Sequence, residues 1–279
     1  MILVTGSKGQ LGRALIQRLE KDGRACRGYD LDEVDISDFG RVLELVRALR
    51  PELVINAAAY TDVDGAEKDW KTACRVNGLA VRNLAVVCAD QDIPLVHVGT
   101  DFVFDGKSSE PYRIVDTPNP INMYGKSKLL GEQWLCSLTN KYYLVRTSWV
   151  FGEGKSNFLK KLLGWSANRN TLKVVTDQVA SPTAAWDLAE ALIKLARTGA
   201  YGLYHFRNLG HCSRYEWAEF ALKKTGWTGR VEPATTDMFP APAPRPAYSV
   251  LDLFPLDEMN LLTIPTWQEA TMKWLEKFA

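Results

Sequence analysis

The chain has 279 residues, 46% of them hydrophobic and 24% charged, with a formal net charge of +1. That length suits one large domain or two interlocked lobes of ordinary soluble composition, and the near-neutral charge gives no electrostatic case for nucleic acid or an anionic membrane surface. No apolar run approaches membrane-spanning length, and the five scattered cysteines (Cys26, Cys74, Cys88, Cys136, Cys212) suggest neither a zinc site nor a disulfide framework.

The first strand, Ile2–Thr5, is too short for a signal-peptide core, so a cytoplasmic protein is expected. A helix over Gln10–Asp22 follows, then strand Ala25–Asp30, helix Asp38–Arg50, strand Leu53–Ala57, helix Asp69–Gln91, strand Leu95–Gly99, helix Tyr124–Asn140 and strand Tyr143–Thr147. Strands that read as continuous apolar runs, separated by helices, imply a parallel sheet covered on both faces. The fold class is α/β, a Rossmann-like doubly wound sheet. Past Gly152 the rhythm weakens to one strand, Leu172–Thr176, and one helix, Asp187–Thr198; seven of the 13 prolines then fall between Pro233 and Pro265. The expected division is a dinucleotide-binding domain over 1–150 with 171–198 returning to it, and a smaller substrate-binding lobe from 151–170 and 199–279.

Gly6, Gly9 and Gly12 follow the first strand and open the first helix, with Lys8 in the turn and Gln10 and Leu11 at the helix start. The first glycine allows the tight turn, the second lets backbone approach a pyrophosphate, and the third allows close helix–strand packing. The helix N-terminus then supplies a field for the anion. Asp30, ending the second strand, suits the ribose hydroxyls of NAD, whereas Lys8 suits the 2′-phosphate of NADP; the choice stays open. Asp35 and Ile36 are placed on the adenine side.

Thr100 and Asp101 follow the strand Leu95–Gly99, at the carboxyl edge where open α/β sheets bind ligands. Tyr124 and Lys128 lie four apart on one helix face, where an ammonium favours the phenolate and makes the phenol a usable acid. Thr100, Tyr124 and Lys128 form a hydroxyl–phenol–ammonium set suited to carbonyl reduction. His97, His205 and His211 do not cluster, and no metal site is expected.

These stretches resemble the extended short-chain dehydrogenase/reductases, most closely the dTDP-4-dehydrorhamnose reductase branch. The matching runs are Val4-Thr5-Gly6-Ser7-Lys8-Gly9-Gln10-Leu11-Gly12, Asn56-Ala57-Ala58-Ala59-Tyr60-Thr61-Asp62-Val63-Asp64 and Thr100-Asp101-Phe102-Val103-Phe104-Asp105-Gly106. They continue through Tyr124-Gly125-Lys126-Ser127-Lys128, Arg146-Thr147-Ser148-Trp149-Val150-Phe151-Gly152, Pro182-Thr183 and Arg245-Pro246, nearly the whole chain in order. The resemblance implies NAD(P)H-dependent reduction of the 4-keto group of a nucleotide-linked deoxysugar, dTDP-4-dehydro-L-rhamnose to dTDP-L-rhamnose. It implies that Tyr124 protonates the nascent alkoxide, Lys128 holds the nicotinamide ribose and lowers the tyrosine pKa, and Thr100 meets the carbonyl oxygen. Ala57, Ala58, Ala59, Tyr60 and Asn77 are implied to line the cofactor. Thr100, Asp101, Phe102, Trp149, Asn157, Thr183 and Arg245 are implied to line the substrate pocket, the arginine facing the diphosphate.

The family commonly has serine-threonine-aspartate-tyrosine where this chain has Gly99-Thr100-Asp101-Phe102, and often glycine at Ala180. Two other functions stay open. One is a nucleotide-sugar epimerase or 4,6-dehydratase; the missing carboxylate after Asp101 argues against the dehydratase. The other is a non-catalytic NADP-binding regulatory subunit resembling that of methionine adenosyltransferase. A small-molecule sugar nucleotide is the expected partner, and a homodimer stays open.

Overall fold

The computed structural model describes residues 1–279. The first half alternates β1 (Ile2–Thr5), α1 (Gln10–Lys21), β2 (Cys26–Tyr29), α2 (Phe39–Leu49) and β3 (Leu53–Asn56), then α3 (Val63–Lys68), α4 (Trp70–Cys74) and α5 (Ala80–Asp90). It ends with β4 (Leu95–Thr100), α6 (Met123–Leu138) and β5 (Tyr142–Thr147). The second half holds β6 (Val150–Phe151), α7 (Phe158–Ser166), β7 (Thr171–Val175), β8 (Val179–Ala180), β9 (Thr183–Ala184) and α8 (Ala185–Leu195). It closes with β10 (Gly202–His205), β11 (Cys212–Ser213), α9 (Arg214–Lys224), β12 (Arg230–Ala234) and α10 (Trp267–Phe278).

Six strands form one parallel sheet in the order β10-β5-β4-β3-β1-β2. Successive side chains of a strand leave opposite faces, and β1 shows the consequence. Ile2 and Val4 pack with Leu15 and Leu19 of α1 and Leu188 and Leu192 of α8 on one face. Leu3 packs with Val42, Val46, Leu84 and Leu135 on the other. Each fully buried aliphatic side chain contributes about 1.5–3 kcal/mol of transfer free energy. Because β1 sits between β2 and β3, the strand order reverses there, and the loops after β1 and β3 open side by side at the carboxyl edge.

The remaining core belongs to a second lobe, where Trp217, Trp274 and Phe151 pack among α7, α9, α10 and β7. Three expectations change here. Strand Leu172–Thr176 does not return to the main sheet; as β7 it pairs with β12, Leu172 against Val231. The sixth strand is β10, expected in the smaller lobe; its Tyr204 lies beside Val145 and packs into the α1–α8 core, which a lone edge strand needs. The expected single helix Asp69–Gln91 is interrupted by a π-helical turn over Arg75–Leu79. Gly131 on α6 lets that turn approach, since a Cβ there would stand 2.1 Å from the Asn77 carbonyl oxygen. No helix is long and apolar enough to cross a membrane.

Candidate active site

The loop after β1 is shaped by close backbone packing. Gly6 has φ +69°, and a Cβ there would lie 2.5 Å from the Ala58 nitrogen; one on Gly12 would lie 2.1 Å from the Gly6 carbonyl oxygen. A Cβ on Gly9 would meet only that same oxygen, at 3.3 Å, so the space above Gly9 is open. No side chain caps α1 at its start, leaving the amides of its first turn, Gln10 and Leu11 among them, without a side-chain acceptor. Open space over unpaired helix amides fits a pyrophosphate, so these residues suit a dinucleotide.

At the adenosine end, Asp30 accepts from the Lys8 amide (2.8 Å) and the Leu31 amide (2.8 Å). The exposed Lys8 ammonium is drawn to Asp32 at 2.5 Å and Glu33 at 3.6 Å, and the Asp32 hydrogen bond chiefly raises its pKa. Two carboxylates therefore hold the Lys8 ammonium, while Arg13 donates to the Lys8 carbonyl at 3.0 Å. Asp35 accepts from the Ser37 amide at 2.8 Å, and the Ile36 carbonyl accepts from Asn83 at 3.2 Å, which fixes that wall. After β3, the Ala57 amide continues the pairing to Thr5 (3.1 Å), and Ala58 donates to Asn56 (3.1 Å). Past Ala59, Tyr60 exchanges two bonds with Asn77, 2.9 and 3.0 Å. Asn77 sits in the π turn and also donates to Ser127 at 2.9 Å, which donates in turn to the Tyr124 carbonyl at 2.7 Å. The cofactor wall is thereby tied to the helix carrying Tyr124.

That helix is aimed by its first residues. Asn122 caps it, accepting from Gly125 at 2.8 Å, and Glu67 accepts from the Met123 amide at 2.7 Å. Gly125 permits contact with the loop after β4, where a Cβ would lie 2.1 Å from the Phe102 carbonyl oxygen. The Phe102 ring meets Tyr124 edge-on, centroids 5.7 Å apart. The space a side chain at Gly99 would need is filled by the buried Glu132–Arg146 pair, with Glu132 Oε1 only 2.6 Å from the Cβ position.

Burial pushes the Tyr124 phenol up to about 12; a Thr100 hydrogen bond opposes this, while Asp101 and Glu132 reinforce it. Lys128 donates to the Val98 carbonyl at 2.6 Å, and burial lowers it to about 8 against the pull of Glu132. Lys128 is not among the groups that shift the phenol, so the expected depression is not seen and the raised value follows from burial. Thr100 donates to Asp101 Oδ1 at 3.0 Å, and Ser249 of the tail donates to Oδ2 at 2.5 Å. Burial raises Asp101 to about 6 despite both bonds. His97 lies beneath, with Asn56 Nδ2 3.1 Å from its Nδ1. No cluster of histidine, cysteine, aspartate or glutamate has metal-binding geometry.

The second lobe closes the cleft. Trp149 adopts φ +44°, which turns the chain out of β5, and its carbonyl accepts from the Thr183 amide at 3.3 Å. Thr183 is fully buried, its hydroxyl on the Ser181 carbonyl at 3.4 Å. Asn157, expected at the substrate, is spent within the protein. Its oxygen caps α7 through Lys160 (2.9 Å), and its nitrogen donates to Gln10 (3.1 Å) and the Gly152 carbonyl (3.0 Å). Arg245, expected at a diphosphate, is held by Asp64. One residue at this cleft escapes sequence reading: Arg214, whose guanidinium lies 3.5 Å over the Trp149 ring centroid. Only the fold brings these two together, 65 positions apart in the chain.

Comparison with known proteins adds an independent line. The family model described as the RmlD substrate binding domain matches residues 1–279. The chain is 37% identical over 276 residues to the spore coat polysaccharide biosynthesis protein SpsK of Bacillus subtilis, covering 99% of this chain and 97% of that protein. It is 38% identical over 282 residues to a dTDP-4-dehydrorhamnose reductase of Aggregatibacter actinomycetemcomitans, covering 96% of each. The crystal structure of a dTDP-4-dehydrorhamnose reductase from Bacillus anthracis in complex with NADP superposes with a TM-score of 0.96 at 37% identity, covering 99% of this chain and 98% of that one.

Proposed function

We propose a function for a chain that belongs to the RmlD substrate binding domain family: it is an NAD(P)H-dependent reductase of a nucleotide-linked 4-keto-deoxysugar, converting dTDP-4-dehydro-L-rhamnose to dTDP-L-rhamnose. The observation that carries this reading is the meeting of Thr100, Tyr124 and Lys128 at the carboxyl end of β4, beside an open glycine loop.

When bound, the reduced nicotinamide supplies hydride to the carbonyl carbon. The chain's own residues manage the oxygen. Thr100, whose single hydroxyl proton rests on Asp101 in the free protein, turns it to the ketone oxygen when substrate binds and holds that oxygen toward Tyr124. A phenol raised to about 12 is fully protonated at neutral pH, and a nascent alkoxide is the stronger base, so the proton moves from Tyr124 to the sugar oxygen. The Lys128 ammonium, anchored on Val98, compensates the phenolate left behind. Positioned proton donation of this kind contributes about 10²–10⁴-fold. Gly6, Gly9, Gly12, Gln10 and Leu11 hold the pyrophosphate of the cofactor, and Trp149 forms the sugar wall. A cytoplasmic location belongs to the same reading. The test is reduced-nicotinamide oxidation against a panel of dTDP-4-keto-deoxysugars. Turnover with the 4-dehydrorhamnose compound is expected, and its absence across the panel rejects the assignment.

A further inference from the structure

Arg214 opens α9 with its guanidinium in an aromatic box: Trp149 at 3.5 Å from the ring centroid, Phe158 at 4.9 Å and Trp217 at 5.7 Å. Phe158 and Trp217 stack on each other, centroids 4.9 Å apart, so the box is braced from behind. The Arg214 amide donates to the Gln178 carbonyl at 3.2 Å, but the side chain makes no hydrogen bond and no ion pair. The side chain is half-buried and its guanidinium nitrogens keep contact with solvent; of the charged groups around it Asp101 favours the cation while Arg245 opposes it. Asp101 does not complete a pair with it, because Thr100 and Ser249 take one carboxylate oxygen each. Arg245 is neutralised by Asp64.

A half-buried cation seated on an aromatic platform and lacking an anion partner is open to one from the cleft. A planar guanidinium stacked face-on still presents its N–H groups around its edge, the geometry that matches phosphate oxygens. Lying over Trp149 and near Asp101, this unpaired edge belongs to the side of the cleft where the sugar nucleotide enters. We propose that Arg214 grips the diphosphate of the sugar nucleotide, with Trp149 as its platform, and that Arg245 acts as a brace for the tail. The inference rests on the reductase reading given above. It adds a substrate-binding residue from the second lobe, so that the substrate itself draws the two lobes together.

Thymidine diphosphate and thymidine are the probes, titrated calorimetrically into the full-length protein. Arg214→Gln is expected to weaken thymidine diphosphate at least tenfold, to leave thymidine unchanged, and to leave NADPH affinity unchanged. The wild-type KM for the sugar nucleotide is expected to rise with ionic strength, and that of Arg214→Gln to rise less, a difference that a purely structural role does not produce. Arg214→Lys keeps a cation in the box and is expected to fall between, because a point charge replaces a fork. Wild-type affinity of Arg214→Gln for thymidine diphosphate overturns the proposal. If that variant does not fold, wild-type affinity of Arg214→Lys overturns it. A wild-type protein that reduces the keto sugar while Arg214→Gln binds normally isolates the failure to Arg214. A wild-type protein that neither turns over nor binds thymidine diphosphate rejects the reductase reading and this inference together.

Discussion

Arg245 and Asp64 face each other in a two-point ion pair, Nη1 to Oδ1 at 2.7 Å and Nη2 to Oδ2 at 2.8 Å, joining the proline-rich tail to α3. The Ala243 amide reaches the same carboxylate at 3.2 Å, and Asn122 donates to the Pro244 carbonyl at 2.8 Å. The tail is thus strapped to the helix that carries Tyr124. Ser249, a few residues on, reaches Asp101 beneath Thr100.

Loosening that strap is expected to affect the substrate and spare the cofactor. The pair is partly exposed, with side-chain exposures of 22% and 40%, so it contributes about 1 kcal/mol, well short of a buried pair. Asp64→Asn is expected to lower kcat/KM for the sugar nucleotide by about three- to tenfold with NADPH affinity unchanged. Steady-state kinetics with each substrate varied in turn decides it, and an unaltered KM for the sugar nucleotide removes the strap's role.

Gly9→Val is expected to abolish dinucleotide binding without unfolding the protein. Gly9 has extended backbone, φ −72° and ψ 171°, which valine adopts readily, and its Cβ would meet only the Gly6 oxygen at 3.3 Å. The added methyls would occupy the space above α1. NADPH titration should show no binding at an unshifted melting temperature; normal titration would move the phosphate site elsewhere.

The alkaline limb of activity is expected near pH 8, where the buried Lys128 loses its proton. Its cation is the working form, so kcat/KM, which reports the free enzyme, holds below that value and falls above it. Stability moves oppositely. The folded value of about 8 lies below the ordinary lysine value of 10.5, so between them the unfolded chain binds the extra proton and stability rises with pH; the penalty is complete below 8. Lys128→Met should lack the alkaline limb and lose most turnover. A wild-type profile that stays flat through this pH contradicts the assignment.

Gln10 links the lobes from inside the phosphate loop, its side-chain oxygen accepting from the Gly152 amide at 2.8 Å and Asn157 at 3.1 Å. Gln10→Ala leaves both donors short of a partner and is expected to cost about 1–3 kcal/mol, read from the urea midpoint. An unchanged midpoint would mean that water replaces the link freely.

What the chain disclosed early follows local rules. Ile2–Thr5, Gly6, Gly9 and Gly12 declare a strand, a tight turn and a helix within a dozen residues, and the Tyr124–Lys128 spacing declares a shared helix face. The pairing of β7 with β12 and the place of β10 in the main sheet were hidden, because a short apolar strand does not carry the name of its neighbour. Asn157 and Arg245 matched expected positions by motif, yet Gln10 and Asp64 claim them through contacts 147 and 181 positions apart. Arg214 gave no signal at all, since one arginine in the first turn of a helix reads as a solvated residue until Trp149 is folded beneath it. The phenol's raised pKa was equally invisible, being a property of burial and not of spacing.

The most direct test of the account is single-turnover oxidation of bound NADPH by dTDP-4-dehydro-L-rhamnose in the wild type and in Tyr124→Phe. The wild type is expected to reduce the ketone. Tyr124→Phe should bind NADPH normally and react about 10²–10⁴-fold more slowly, having lost only the proton donor. Wild-type rates in Tyr124→Phe, or a wild type inert toward the 4-keto sugar, would contradict it.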